Sequence, residues 1–83
     1  MSTDNMTAEE FRAAWPGWSD RWLAYCWRNR LTPGVDRPTT HRVHMYNWIR
    51  SQIDIGAPGT ERGVIIDHDA FTAHLWKIAK EAR

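Results

Sequence analysis

Four stretches of this chain repeat their apolar residues with a helical period, and the residues between them are turn formers. Thr7 and Glu10 have the spacing of a capping box, and Phe11, Ala14 and Trp15 follow on one helical face until Pro16-Gly17 ends the element. A second helix is expected from Ser19, with Trp18 and Leu23 at the positions of a hydrophobic staple. Within it Trp22, Tyr25 and Cys26 form one stripe and Leu23, Trp27 and Leu31 another, which predicts burial on more than one side. Thr32-Pro33-Gly34 stops that helix, and a loop continues through Asp36-Arg37-Pro38. A third helix is expected to be capped by Thr39 or Thr40 and to run to about Gln52. Ile53-Asp54-Ile55 and Gly63-Val64-Ile65-Ile66 flank a Gly-Ala-Pro-Gly turn and read as the two strands of a hairpin. Asp67 then caps a last helix with Phe71, Leu75, Ile78 and Ala79 on its inner face. The pattern predicts a single mostly helical α+β domain over residues 7–83, preceded by a loose segment, residues 1–6.

At 83 residues the chain has room for one domain, so a few large side chains must supply the core. Six tryptophans, two tyrosines and two phenylalanines do so. The single cysteine, Cys26, permits no internal disulfide. No apolar run approaches the roughly 20 residues that span a bilayer, and the polar, acidic start lacks the regions of a signal peptide. The cytoplasm is therefore expected. The net charge of +1 is uninformative, but its distribution is not. Between Arg21 and Arg50 six arginines stand against one acid, Asp36, a balance suited to an anionic partner such as nucleic acid and shared by ordinary solvated surfaces.

The third helix has two possible phases. In one, Met45, Trp48 and Ile49 face the core and Val43, Tyr46, Asn47 and Arg50 share an outer stripe. In the other, Val43, Tyr46, Ile49 and Ile53 are inside and Trp48 is outside. The first is expected, because Trp48 removes far more surface from water than Val43. Asn pairs with the major-groove edge of adenine, Arg pairs with guanine or holds phosphate, and Tyr46 has a ring for a thymine methyl or a hydroxyl for phosphate.

The segment His44-Met45-Tyr46-Asn47-Trp48-Ile49-Arg50-Ser51-Gln52 resembles the recognition helix of phage excisionases and related MerR-like DNA-binding domains, often T-V-x-R-W-I-R-x-G. Gly63-Val64-Ile65-Ile66-Asp67-His68-Asp69-Ala70-Phe71 is similar to that family's second wing strand and following helix. The resemblance covers about residues 39–76 and, more loosely, the helix from Ser19. It implies a winged helix-turn-helix with a two-stranded hairpin wing, in which Val43, Tyr46, Asn47 and Arg50 face the major groove. Thr60 and Arg62 are then the wing candidates for the minor groove. Arg28, Arg30, Arg37 and Arg42 are candidates for phosphate contacts. Trp15 and Trp18, flanking Pro16-Gly17, are candidates for a protein-facing patch, with closure of the core as the competing role. The chain departs from the family pattern at Asn47, where a second basic residue is usual, at Val43, where a polar one is, and in its tryptophan-rich Trp22–Leu31 segment.

As the resemblance implies, the partners would be double-stranded DNA, a tyrosine or serine integrase, and further copies of the chain bound cooperatively on adjacent repeats in the nucleoid of a host bacterial cell. No cofactor, metal or catalytic residue is expected. His41 and His44 lack the H-E-x-x-H context, one cysteine cannot build a zinc-finger ligand set, and neither G-x-S-x-G nor a glycine-rich phosphate loop occurs. The histidines read as exposed or capping groups. Two other functions fit the same features: a small phage-encoded inhibitor of a host defence complex, which needs aromatic interface residues and no catalysis, and a repressor of the same fold.

Overall fold

The structure, a computed structural model, describes residues 5–83. Of the segment expected to be loose, residues 1–4 lie outside the described residues, while Met6 packs against the core. Helix α1 spans Ala8–Ala14. Its start follows from a reciprocal box: the Glu10 N–H donates to Thr7 Oγ1 at 3.1 Å and the Thr7 N–H donates to Glu10 Oε1 at 3.0 Å. Helix α2, Asp20–Asn29, starts where Ser19 Oγ accepts the Trp22 N–H and ends at Arg30 in the left-handed region.

Helix α2 is the centre of the molecule. Trp22 through Trp27 are six successive buried residues, and at about 100° per residue they cover the full circumference of the helix. Helices α1 and α4 pack against it, and α3 lies along a further side. Helix α4, His68–Ala82, brings Phe71, Leu75, Trp76 and Ala79 into this core, with Ile78 half-buried at its margin. Its first turn is capped as expected, the Ala70 N–H donating to Asp67 Oδ1 at 3.0 Å. Burial pushes the Cys26 thiol up to about 12, with the Asp36 charge adding to it. Burial likewise raises the Tyr25 phenol, followed by the neighbouring Cys26.

Helix α3 spans Pro38–Asp54, and both of its expected ends are corrected. The N-cap is Arg37, with no side-chain cap bond, and Thr39 and Thr40 lie inside the first turn. Pro38 sets the start instead: its fixed φ is already helical, and its missing N–H is one the first turn leaves unbonded anyway. At the other end Ile53 and Asp54 are helical, not a strand. Ile53 lies one turn beyond buried Ile49 and packs on the same core, so continued helix buries it where a strand would not. Gly56, at a φ of 76°, follows the helix end.

The second strand therefore forms where expected, whereas the first lies further along, within the segment read as the loop. Strand β1 is Thr60–Glu61 and β2 is Val64–Ile65, antiparallel with Thr60 opposite Ile65 and Glu61 opposite Val64. Arg62 and Gly63 join them with both φ values positive, 52° and 78°, as a tight two-residue hairpin requires. Gly59 ties this wing to α4: its carbonyl accepts from Ile66 N at 2.8 Å and Asp67 N at 3.1 Å. A Cβ there would stand 2.4 Å from the Asp67 carbonyl oxygen. The result is the expected mostly helical α+β arrangement, winged-helix-like, with the helix pair α2 and α3 followed by a two-stranded wing and α4.

Candidate nucleic-acid interface

Helix α3 is the longest element, 17 residues, or about 25 Å at 1.5 Å per residue. Ile49 is its one fully buried residue. Around Ile49 the inner stripe is Met45, Trp48 and Ile53, all half-buried against the core. His41 extends that stripe by one turn, its ring 6.3 Å from Trp22 and 6.0 Å from Tyr25. Trp48 lies beside Tyr25, at 6.2 Å between ring centroids, and the Arg28 guanidinium covers it at 5.5 Å. The phase chosen from the size of Trp48 is the one the helix adopts.

The opposite stripe carries the predicted reading residues together. Val43 is 67% exposed and Tyr46 52% exposed, and Asn47 and Arg50 are exposed beside them. Arg42 extends along the same helix with its guanidinium 5.4 Å over the Tyr46 ring. Arg50 Nε donates to Asp54 Oδ1 at 3.2 Å. An exposed (i, i+4) pair of this kind is worth about 0.2–0.5 kcal/mol, whereas a bidentate base contact discriminates by about 1–3 kcal/mol. The guanidinium is therefore held in place without being committed.

The remaining candidates divide. Arg62 is exposed at the hairpin turn. Thr60, the other wing candidate, is half-buried, and its hydroxyl donates to the Ala57 carbonyl at 2.6 Å, so it closes the turn that leads into the wing. Arg28 and Arg37 adjoin α3, one over Trp48 and the other at its N-cap. Arg30 instead lines a cavity with Trp27 and Arg83 on another side of α2 and is not brought to the α3 stripe. Of the two candidate interface tryptophans, Trp18 is 36% exposed, while Trp15 packs on Phe11 at 4.6 Å and against the core. Of the four histidines, His44 and His68 are exposed as expected, whereas His41 and His74 are half-buried, and the His74 ring Nε2 bonds Gln52 Oε1 at 2.8 Å.

Sequence reasoning missed Arg21 and His68. Arg21 Nη2 meets His68 Nδ1, and its guanidinium lies 5.6 Å over the Phe71 ring. Both residues line a depression at the α3 margin together with Tyr46, Met45 and Thr72. The two are 47 positions apart, and no local pattern links them. Among the described residues no group of three or more His, Cys, Asp or Glu side chains is arranged to hold a metal ion, and no helix is long and apolar enough to cross a membrane. No protein-family model, curated protein or solved structure matches the chain.

Proposed function

We propose that this protein is a sequence-reading, DNA-bending architectural protein that lays α3 in the major groove, and that its role is that of a phage excisionase acting in the cytoplasm. The observation that supports it is the division of α3. Its aromatic and aliphatic stripe is spent on the core, and Val43, Tyr46, Asn47 and Arg50 are left side by side on the outer face. Asn47 offers a paired donor and acceptor to adenine, and Arg50 offers paired donors to guanine. Arg28, Arg37 and Arg42 supply charge for phosphates on either side of the helix, which positions the protein without reading sequence. The exposed Arg62 at the wing tip is the residue offered to a narrow minor groove. The excisionase role rests on the likeness of residues 44–52 and 63–71 to that family. In this role several copies bind adjacent repeats beside an attachment site, bend the duplex and direct an integrase toward excision. Bending costs on the order of 1–6 kcal/mol and must be offset by contacts along the curved DNA.

The test is a mobility-shift titration on random and selected duplexes at two salt concentrations. Neutralising about five phosphates gives a log–log salt slope near −4 to −5. Asn47→Ala and Arg50→Ala should each lower discrimination between selected and random duplexes by about 1–3 kcal/mol while the variants remain folded. Wild-type protein that binds no duplex at low salt would overturn the DNA reading. Duplex binding without bending, or without any effect on integrase-driven excision, would leave a repressor in place of an excisionase.

A further inference from the structure

Arg21 carries a charge that no carboxylate offsets. Its Nη2 meets His68 Nδ1, and among the described residues it belongs to no ion pair. A guanidinium can only donate, so the imidazole nitrogen it meets lends a lone pair, and a ring that lends one is uncharged. His68 therefore satisfies one N–H of Arg21 and leaves the positive charge whole. The Phe71 ring, 5.6 Å from the guanidinium, steadies the side chain without neutralising it. Both Arg21 and His68 line a depression whose one carboxylate is Asp20, and Arg12 already binds Asp20 through both oxygens at 2.8 and 2.7 Å. Arg21 thus differs from Arg12 and Lys80, whose charges each face a carboxylate. The depression holds two hydroxyls as well. Ser19 Oγ accepts the Trp22 N–H and keeps its own proton to donate, and Thr72 lines the same wall.

This depression borders the outer stripe of α3 at Tyr46. Tyr46 and Trp48 are two positions apart and so lie about 160° from one another around the helix. Arg28 covers Trp48 and Arg21 stands beside Tyr46, which puts the two guanidiniums at opposite margins of α3. Arg42, 5.4 Å over the Tyr46 ring, shares the margin of Arg21. A helix about 10–12 Å across fills a major groove about 12 Å wide, so each margin faces one of the two phosphodiester strands. A phosphate offers the guanidinium fork a full negative charge and two oxygens, whereas His68 offers one lone pair of a neutral ring. The phosphate is the stronger acceptor.

We propose that Arg21 binds a backbone phosphate of the DNA at the Tyr46 margin of α3, giving up His68 for the phosphate oxygens while Ser19 and Thr72 donate to the same group. This contact rests on the DNA reading and anchors the strand across the groove from Arg28. The test measures binding of the selected duplex by the full chain across a salt series, with single methylphosphonates, each lacking one phosphate charge, scanned along both strands. Arg21→Gln should reduce the log–log salt slope by about one and leave the preference for selected over random duplexes intact. At one methylphosphonate position the wild type should weaken while Arg21→Gln weakens no further, which a purely structural role would not produce. Arg21→Lys keeps the charge and should keep the slope. Arg21→Met, whose unbranched stem stays on Phe71, should lower the slope as Arg21→Gln does and replaces it if urea unfolding shows that variant to be unfolded. His68→Ala should tighten binding at an unchanged slope, because Arg21 then has no acceptor to surrender. A folded Arg21→Gln or Arg21→Met protein with the full wild-type slope overturns this contact and leaves the DNA reading standing. So does a scan in which wild type and variant lose affinity alike at every position, or a His68→Ala protein weakened as Arg21→Gln is. Wild type that binds no duplex at low salt overturns both.

Discussion

Gly59 is the point at which one methyl group should separate the wing from the domain. Its φ of 81° lies in the left-handed region, where any residue with a Cβ pays about 1–2 kcal/mol. The space is closed as well: a Cβ would stand 2.4 Å from the Asp67 carbonyl oxygen and 2.8 Å from the Phe71 nitrogen. Both are backbone atoms of the α4 start, so no rotamer change relieves the contact, and overpacking of this kind adds about 1–3 kcal/mol. Gly59→Ala should therefore cost about 2–5 kcal/mol, a large part of a domain stability of about 5–15 kcal/mol. Gly63 is the internal control. Its φ is 78° but nothing lies within 4 Å of its added Cβ, so Gly63→Ala should cost only the backbone strain, about 1–2 kcal/mol. Urea unfolding followed by tryptophan fluorescence gives both values, and melting temperatures should differ by roughly 4–8 °C for each kcal/mol between the variants. Equal destabilisation of the two would refute the packing of Gly59 against the start of α4.

Asp67→Ala removes the acceptor for the Ala70 N–H and should cost about 0.5–2 kcal/mol, with Asp67→Ser restoring most of it in the same urea assay. Cys26 has no exposed surface and its thiol is pushed up to about 12, so Ellman's reagent should label it at pH 8 only after denaturant unfolds the chain. The raised value also sets a pH dependence. The buried neutral thiol contributes its full stability below the ordinary thiol range, and that contribution falls as pH climbs from about 9 toward 12, by about 1.4 kcal/mol per unit. Cys26→Ala should lack this part of the alkaline decline, and parallel declines of the two proteins would contradict the burial of the sulfur. On DNA, Arg28→Ala and Arg37→Ala should each reduce the salt slope by about one while leaving sequence preference intact, whereas Asn47→Ala should alter preference with the slope unchanged.

Interactions that span a few residues were open to reading from the chain alone. Thr7, Ser19 and Asp67 cap their helices because each side chain reaches an N–H three residues ahead, a distance that helix geometry sets without reference to the rest of the fold. The phase of α3 was legible for a different reason: Trp48 carries so much apolar surface that only one rotation of the helix covers it. The first strand of the hairpin was misplaced because Ile53 and Ile55 have the composition of a strand. Ile53 belongs to the helix since Ile49 beside it is already docked on the core, and a tertiary contact outweighs a weak local preference. Arg62 at positive φ gave no turn signal, because arginine rarely takes that conformation and does so here under the constraint of a two-residue link.

The sorting of the arginines belongs wholly to the tertiary structure. Arg28 and Arg30 are two positions apart and chemically identical, yet one covers Trp48 on α3 and the other lines the Trp27 cavity on the far side. The chain determined that α2 would be buried on more than one side. Which neighbour covers which side depends on how α1, α3 and α4 share its six buried residues, and that is settled only when all four helices compete for the same apolar surface.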